Sequence, residues 1–286
     1  GAFGERFAEI AKVHKIEVAR LQYEWGELVD ANAVARILDE DPKIVAVVMC
    51  HHETSVGLLN PIHAVGKICR ERDRMCFVDA ISSLGAEDVD VRRDNIDVLI
   101  SSSTKCLHAV SGVAFACVNK RIWPTVEGIP SRVYYLDLKH YRNGQIPFTP
   151  AVSNIMALDV ALDELLQIGV KARIERYRSL NQHIRDSLRK MGFEPFTENG
   201  FESHTISTVA IPDVISFDEL YATLKKQGFI VYACKERLQK KYFQIANMGE
   251  LTDEMVQGFL DTLALVLRRA ARSKKTVTAR QASALR

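Results

Sequence analysis

Short apolar runs alternate with segments of helical periodicity along the first half of the chain. Runs that predict strands lie at 16–21, 43–50, 76–78, 98–100 and 113–118. Segments with apolar residues at helical spacing lie at 2–13, 31–38 and 62–72. The run 43–50 (KIVAVVMC) is continuous, which predicts a strand buried on both faces. This alternation predicts an α/β fold with a mostly parallel sheet flanked by helices.

The pattern changes after an irregular, proline-containing segment at 121–145. Two long helices are predicted at 154–168 and 172–191, the first with Ser153 as its N-cap. Later elements are strands at 205–211, 229–232 and 242–246 and helices at 217–227 and 253–269. We therefore expect three parts: a large domain at 1–150, a helical connection with a small C-terminal α+β domain at 151–270, and a tail at 271–286.

Charge is distributed unevenly along the chain. The 286 residues include 38 Lys and Arg and 36 Asp and Glu, a net charge of +2. Seven of the basic residues lie at 268–286, where no acid occurs, so the rest has 31 basic and 36 acidic residues and a net charge of −5. The tail lacks aromatic residues. It therefore predicts a solvated, disordered segment rather than a nucleic-acid site.

Cysteine spacing and hydropathy indicate the cellular compartment of the protein. The six cysteines form no CxxC pair, which favours a reducing, cytoplasmic location. No run of 18 apolar residues predicts a membrane span, and the first residues do not resemble a signal peptide. His51, His52 and His108 do not have the spacing of metal ligands, so no metal is expected.

Two candidate chemical groups follow neighbouring apolar runs. Asp79 comes directly after 76–78, and Lys105 follows 98–100 by five residues. Ligands of open α/β sheets bind outside the carboxyl ends of the strands. A lysine there can form a Schiff base, and an acid can pair with a pyridinium nitrogen. Asp79 can equally cap a turn, and Lys105 can be a solvated loop residue. On spacing alone, this second interpretation is favoured.

Three motifs favour the cofactor-binding interpretation of Asp79 and Lys105 over the turn and loop interpretation. Residues 52–57 (HETSVG), 78–83 (VDAISS) and 101–106 (SSSTKC) resemble successive motifs of the class V, pyridoxal-phosphate-dependent aminotransferases. The separations of 25 residues from Thr54 to Asp79 and of 26 from Asp79 to Lys105 match that family. Within the family, the sequences of these motifs are most similar to those of the 2-aminoethylphosphonate–pyruvate aminotransferases. The family pattern begins upstream of Gly1, so we expect that a phosphate-binding N-terminal portion is missing from this chain.

The resemblance implies a role for each matching residue. Lys105 would form the aldimine with pyridoxal 5′-phosphate and move the substrate proton, and Asp79 would keep the pyridine nitrogen protonated, with a low pKa. Thr54 would bond to the ring hydroxyl, Ile81 would pack on the ring, and Thr104 would reach the phosphate. Thr54 can also be an ordinary turn residue, and Ile81 a core residue.

Thr149 resembles a threonine that reaches the partner subunit's cofactor, which implies a homodimer. A simple helix-capping role is the alternative for this residue. The implied function is transfer of an amino group from a small amino acid or an aminophosphonate to an α-keto acid.

One position departs from the family. Gln244 stands where the family has an arginine that binds the substrate carboxylate. Glutamine cannot form that bidentate, charge-assisted pair, whose loss costs on the order of 1.5–3 kcal/mol. Lys235 or Arg237 can take over the carboxylate, or the substrate can lack one there. The alternatives to an aminotransferase are therefore a pyridoxal-phosphate-dependent lyase or decarboxylase, and a non-catalytic homologue or fragment.

Overall fold

The chain divides into two compact units that are not contiguous in sequence. A computed structural model describes residues 1–197 and 200–284, and only the backbone of 275–284. The first unit holds Ala2–Glu53 and Leu59–Arg173, and the second holds Thr54–Leu58 and Ile174–Arg286 together with Gly1. No helix in the described part of the chain has the length and apolar character needed to cross a bilayer.

Helices and strands alternate in the first unit, as the sequence predicts. Its helices are α1 (Ala2–Val13), α2 (Ala31–Glu40), α3 (Ile62–Glu71), α4 (Trp123–Gly128), α5 (Leu138–Arg142) and α6 (Val152–Ile168). The strands of the chain up to this point are β1 (Ala46–Cys50), β2 (His52–Glu53), β3 (Leu58–Leu59), β4 (Met75–Asp79), β5 (Val98–Ser102) and β6 (Ala114–Val118). The run 16–21 forms no strand, so that prediction is wrong.

The main sheet has the order β1-β4-β5-β6. The first two pairings are parallel and the third is antiparallel, which confirms a mostly parallel sheet. Helices α2 and α3 contribute Val34, Leu38 and Val65 to a core that also contains Val78 of β4. Strand β1 lies at one edge of the described sheet, and Val48 is 44% exposed. The prediction that this run is buried on both faces is therefore wrong.

A buried ion pair sets the register of the strands that lead to the candidate site. Asp97 is fully buried, and its carboxylate accepts hydrogen bonds from Nε and Nη2 of Arg121, each 2.6 Å long. The same carboxylate accepts the backbone N–H of Cys76 at 2.9 Å. Because Asp97 precedes β5 and Cys76 lies in β4, these bonds hold the two strands side by side.

The second unit is built on an antiparallel sheet. Its elements are α7 (Val170–Lys190), β7 (Ile206–Ala210), α8 (Phe217–Lys226), β8 (Tyr232–Ala233), β9 (Tyr242–Ala246) and α9 (Asp253–Ala284). The strand order is β7-β9-β8. Phe243 and Ile245 of β9 pack in a core with side chains of all three helices, among them Leu188, Leu220 and Leu260. Side chains alternate along a strand, so Gln244 lies on the other face of the sheet.

The boundary between the units falls after Arg173, whereas the sequence places a domain boundary at 150. Helix α6 belongs to the first unit because its Leu158 and Leu165 pack against Leu107. This helix has Ala151 rather than Ser153 as its N-cap, without a side-chain hydrogen bond. The backbone of α9 is helical to Ala284, so the predicted end of this helix at 269 is wrong. The solvation predicted for the tail at 271–286 remains a prediction, because the side chains of 275–284 and residues 285–286 lie outside the described residues.

Candidate functional site

Asp79 occupies the carboxyl end of β4. In the sheet it pairs with Cys50 on one side and Ile100 on the other, and its carbonyl accepts the N–H of His51 at 2.9 Å. Its Oδ1 accepts the backbone N–H of Ile81 at 2.8 Å, which fixes the orientation of the carboxylate. The carboxylate is therefore held at a strand end by its own backbone turn.

Burial raises the pKa of Asp79. The Ile81 N–H opposes this shift, Glu53 adds to it, and the guanidinium of Arg6 opposes it. The low pKa expected from the sequence presumed a cation close enough to outweigh burial. Here the net shift of the pKa is upward, because burial is the largest effect. The charged form of Asp79 is therefore costly unless a cationic partner faces it.

Lys105 begins a 3-10 turn that follows β5. The side chain is exposed, and the backbone has φ 58°, in the left-handed region that residues with a Cβ seldom adopt. Ser103 closes the loop: its Oγ donates to the Val110 carbonyl at 2.6 Å, and its carbonyl accepts the N–H of Ala109 at 3.0 Å. The backbone of Lys105 is therefore strained, and the hydrogen bonds of Ser103 hold the loop that carries its amine.

The predicted residues of the first unit fall into two groups. Asp79 and Lys105 follow adjacent parallel strands, since Asp79 pairs with Ile100 of β5, so both lie at the carboxyl edge of the sheet. Thr104 shares this edge, and its hydroxyl lies 3.0 Å from that of Ser102. Thr149 lies apart in sequence, exposed in the segment between α5 and α6. Within the described residues, no hydrogen bond joins it to Asp79 or Lys105.

The other two predicted residues, Thr54 and Gln244, meet in the second unit. Gln244 Nε2 donates to the Thr54 carbonyl at 2.7 Å and to the Thr208 hydroxyl at 3.2 Å. Thr208 is the cross-strand partner of Gln244 in the β7–β9 pair. Thr208 is not identifiable from the sequence, because no local pattern fixes the register of strands that are 36 residues apart.

Gly57 allows the Thr54 segment to approach β7. It has φ +75°, and a Cβ there would lie 3.1 Å from the Ile206 carbonyl oxygen. Its own carbonyl accepts the N–H of Ser203 at 2.9 Å. Both the backbone conformation and the close approach require glycine at this position. The motif 52–57 therefore ends in a glycine for a structural reason.

Comparison with known proteins assigns the class. Residues 5–240 match the family Aminotransferase class-V, so the chain belongs to the class V aminotransferases. This confirms the predicted family and the prediction that the chain is an enzyme, a pyridoxal-phosphate-dependent transferase.

Individual relatives agree with this class. An uncharacterized aminotransferase of Methanocaldococcus jannaschii is 36% identical over 275 residues, covering 94% of this chain and 71% of the relative. A 2-aminoethylphosphonate–pyruvate transaminase of Klebsiella pneumoniae subsp. pneumoniae is 35% identical over 271 residues, covering 91% and 73%. The ureidoglycine–glyoxylate aminotransferase of Bacillus subtilis has a similar structure, with a TM-score of 0.87 at 27% identity over 92% of this chain and 70% of that one. The predicted fold class is thereby confirmed.

Proposed function

We propose that this chain is an aminotransferase that uses pyridoxal 5′-phosphate bound through Lys105, with a small amino acid or an aminophosphonate as donor and an α-keto acid as acceptor. The observation that carries the proposal is the pair Asp79 and Lys105 at the carboxyl ends of the adjacent parallel strands β4 and β5. Family membership supplies the class of reaction. The 2-aminoethylphosphonate–pyruvate transaminases among the relatives support an aminophosphonate donor.

The chemistry of these residues fits the cofactor. Lys105 offers an exposed primary amine for its aldehyde. Asp79 offers a carboxylate whose pKa burial raises, so it gains from a cationic ring N–H as partner. The neighbouring hydroxyls of Ser102 and Thr104 are donors suited to phosphate oxygens. The half-buried Ile81 can support the flat ring.

Each residue then has one task in the reaction. Pyridoxal phosphate, when bound, supplies an electron sink for the pair of electrons left on the substrate carbon. Lys105 would hold the cofactor through its Nζ, and the same amine would move the proton to and from the substrate carbon. The Asp79 carboxylate, which the Ile81 N–H orients, would keep a proton on the ring nitrogen. The Thr54 hydroxyl would donate a hydrogen bond to the ring oxygen.

A lyase or decarboxylase on the same scaffold is the second candidate function. It is favoured by Gln244, which stands at the family's carboxylate-binding position and whose amide contacts Thr54 and Thr208. A reaction that does not hold an α-keto acid has no need of an arginine there. Formation of alanine from pyruvate separates the two candidates: an aminotransferase forms it in step with loss of the amine donor, whereas a lyase or decarboxylase consumes the amine without it.

The proposal includes a homodimer in which Thr149 reaches the partner's cofactor site. An exposed apolar surface of the first unit supports a second copy as its occupant, with Tyr134, Leu136 and Phe148 each at least 60% exposed. Sedimentation measures the oligomeric state. Mixing Thr149→Ala with Lys105→Ala protein tests the shared site, because a mixed dimer recovers one intact site only if Thr149 acts across the interface.

We also propose a cytoplasmic location. The six cysteines are all free, and five of them are buried, as expected for a protein kept in a reducing compartment. Fractionation of cells that produce the chain with its native sequence measures the location. Recovery outside the cytoplasmic fraction would contradict this part of the proposal.

Cofactor binding is the direct experiment. Wild-type protein incubated with pyridoxal phosphate is expected to show a visible absorbance band that borohydride fixes to the chain, and peptide mass spectrometry should locate the adduct at Lys105. Lys120→Ala is a matched control for Lys105→Ala, since Lys120 is also exposed and also begins a 3-10 turn of the first unit. Loss of the band only in Lys105→Ala supports the proposal. A wild-type protein without the band supports the non-catalytic alternative.

A further inference from the structure

The amide of Gln244 has both of its hydrogens engaged within the protein. A glutamine side chain carries two donor hydrogens on Nε2 and acceptor lone pairs on Oε1. One hydrogen goes to the Thr54 carbonyl at 2.7 Å and the other to the Thr208 hydroxyl at 3.2 Å. Thr208 is 6% exposed, so the second bond is shielded from water. The amide therefore has only Oε1 left to offer a ligand, and an oxygen acceptor repels a carboxylate.

The Thr54 carbonyl also fixes which way the amide faces. A carbonyl oxygen only accepts hydrogen bonds, so the atom 2.7 Å from it must be the NH₂ group of Gln244. Turning the amide over would place two oxygens in contact. The donor orientation is thus set by the backbone of Thr54, which lies 190 residues away in sequence.

We propose that Gln244 is a positioning residue for Thr54, and not a ligand for a substrate carboxylate. This inference rests on the proposed function, in which the Thr54 hydroxyl contacts the cofactor. Gln244 holds the Thr54 carbonyl from β9, and the threonine hydroxyl then keeps a fixed direction. The consequence for specificity is that the amine and keto substrates are bound without a carboxylate clamp at position 244.

The remaining contacts of the segment show why one bond at Thr54 matters. Gly57, three residues beyond Thr54, is already anchored because its carbonyl accepts the N–H of Ser203. Leu58 forms an antiparallel bridge with Glu202. These bonds fix the C-terminal half of Thr54–Leu58, and Gln244 fixes its N-terminal end. Removing Gln244 should free Thr54 while leaving the rest of the segment in place.

Hydrogen exchange of the cofactor-free protein directly tests whether Gln244 holds Thr54 in place. In Gln244→Leu we expect the amides of 54–56 to exchange about tenfold faster, because the Thr54 carbonyl loses its hydrogen bond from Nε2 of Gln244. Gln182→Leu is the matched control, since Gln182 is an exposed glutamine of the same unit whose Nε2 donates a side-chain hydrogen bond to Asp186. It should leave exchange at 54–56 unchanged. Equal exchange in the two leucine variants would overturn the proposal.

Cofactor spectra and kinetics test the positioning role. With pyridoxal phosphate bound, Gln244→Leu should shift the absorbance maximum and its pH titration in the direction that Thr54→Val does, and the double variant should show less than the sum of both shifts. The KM for pyruvate should stay within about twofold of wild type, because no carboxylate contact is lost. If Gln244→Leu folds poorly, Gln244→Glu replaces it in these experiments. Glutamate keeps the size of the side chain but lacks both amide hydrogens, so the same changes are expected.

Two outcomes overturn the inference. An unshifted spectrum with a KM for pyruvate raised about tenfold would make Gln244 a substrate ligand. Faster exchange with an unshifted spectrum would leave Gln244 a structural residue without influence on the cofactor. Failure of the proposed function is distinct from both, because the wild-type protein itself would then lack the cofactor band.

Discussion

His51 gives a quantitative test of the buried environment beside the strand ends. The residue is 5% exposed, and its Nδ1 has no hydrogen-bond partner among the described residues. Burial lowers its pKa from 6.5 to about 4, although the nearby Glu87, Asp94 and Asp88 act in the opposite direction. The folded protein therefore holds His51 neutral at a pH where the unfolded chain protonates it.

The sign and the size of the effect follow from proton linkage. A base with a lower pKa in the folded state takes up a proton on unfolding. The stability of the folded protein is therefore unaffected by His51 above pH 6.5 and decreases as the pH falls toward 4. At about pH 5 the pKa of the unfolded histidine lies about 1.5 units above the pH, which corresponds to about 2 kcal/mol of lost stability. Below about pH 4 the folded histidine also becomes protonated, and the loss levels off.

Tryptophan fluorescence makes the assay specific to the first unit, because Trp25 and Trp123 both lie there. Urea unfolding is compared at about pH 7.5 and about pH 5 for the wild type, His51→Phe and His14→Phe. His51→Phe removes the titrating group and keeps a ring, so its difference between the two pH values should be smaller by about 2 kcal/mol. His14 is exposed and serves as the control. If His51→Phe retains the full wild-type difference, the burial argument is refuted.

Three further predictions concern the strand ends and the Thr54 segment. In the cofactor-free protein, Lys105→Gly should be more stable than Lys105→Ala by about 1 kcal/mol in urea unfolding, because only glycine relieves the left-handed φ; equal stability would contradict this. The wild type should lose stability as the pH rises through the raised pKa of Asp79, and Asp79→Asn should abolish this pH dependence. The same variant should weaken cofactor binding by about 10- to 100-fold in a fluorescence titration. An unchanged pH dependence would argue against the raised pKa. Gly57→Ala should cost more stability by circular dichroism than Gly192→Ala, since both have positive φ but only Gly57 faces a carbonyl at 3.1 Å; similar costs would discount the contact.

Local sequence signals predicted the elements around Asp79 and Lys105 well. Helix α2 begins at Ala31, where the periodic segment 31–38 begins, and its N-cap Asp30 accepts the N–H of Asn32 at 2.8 Å. The strand ends at Asp79 and the turn at Lys105 also lie where the apolar runs stop. Each of these features depends on residues that are close in sequence. Periodicity and caps are sufficient to predict them.

Features that depend on distant partners were not predictable in this way. The run 16–21 has strand-like residues but no neighbouring strand, and a β-strand needs a partner for its backbone groups. The assignment of Thr54 to the second unit depends on the hydrogen bond from Gln244 of β9 to its carbonyl and on the bridge between Leu58 and Glu202, in which the partners are more than 140 residues apart. The upward shift of the pKa of Asp79 likewise depends on how deeply it is buried. None of these contacts leaves a local trace in the sequence.

The discontinuity of the second unit limits how the enzyme can be dissected. A fragment that begins at Ile174 would contain β7, β9, α8, α9 and α7 from Ile174 onward, yet it would lack Thr54–Leu58. In such a fragment Gln244 would lose its carbonyl acceptor, and Ser203 would lose the carbonyl of Gly57. Expression of this unit on its own therefore requires a circularly permuted or grafted design that restores the five-residue insert. For evolution the same constraint means that the two units cannot be exchanged between relatives by a single crossover without breaking these bonds.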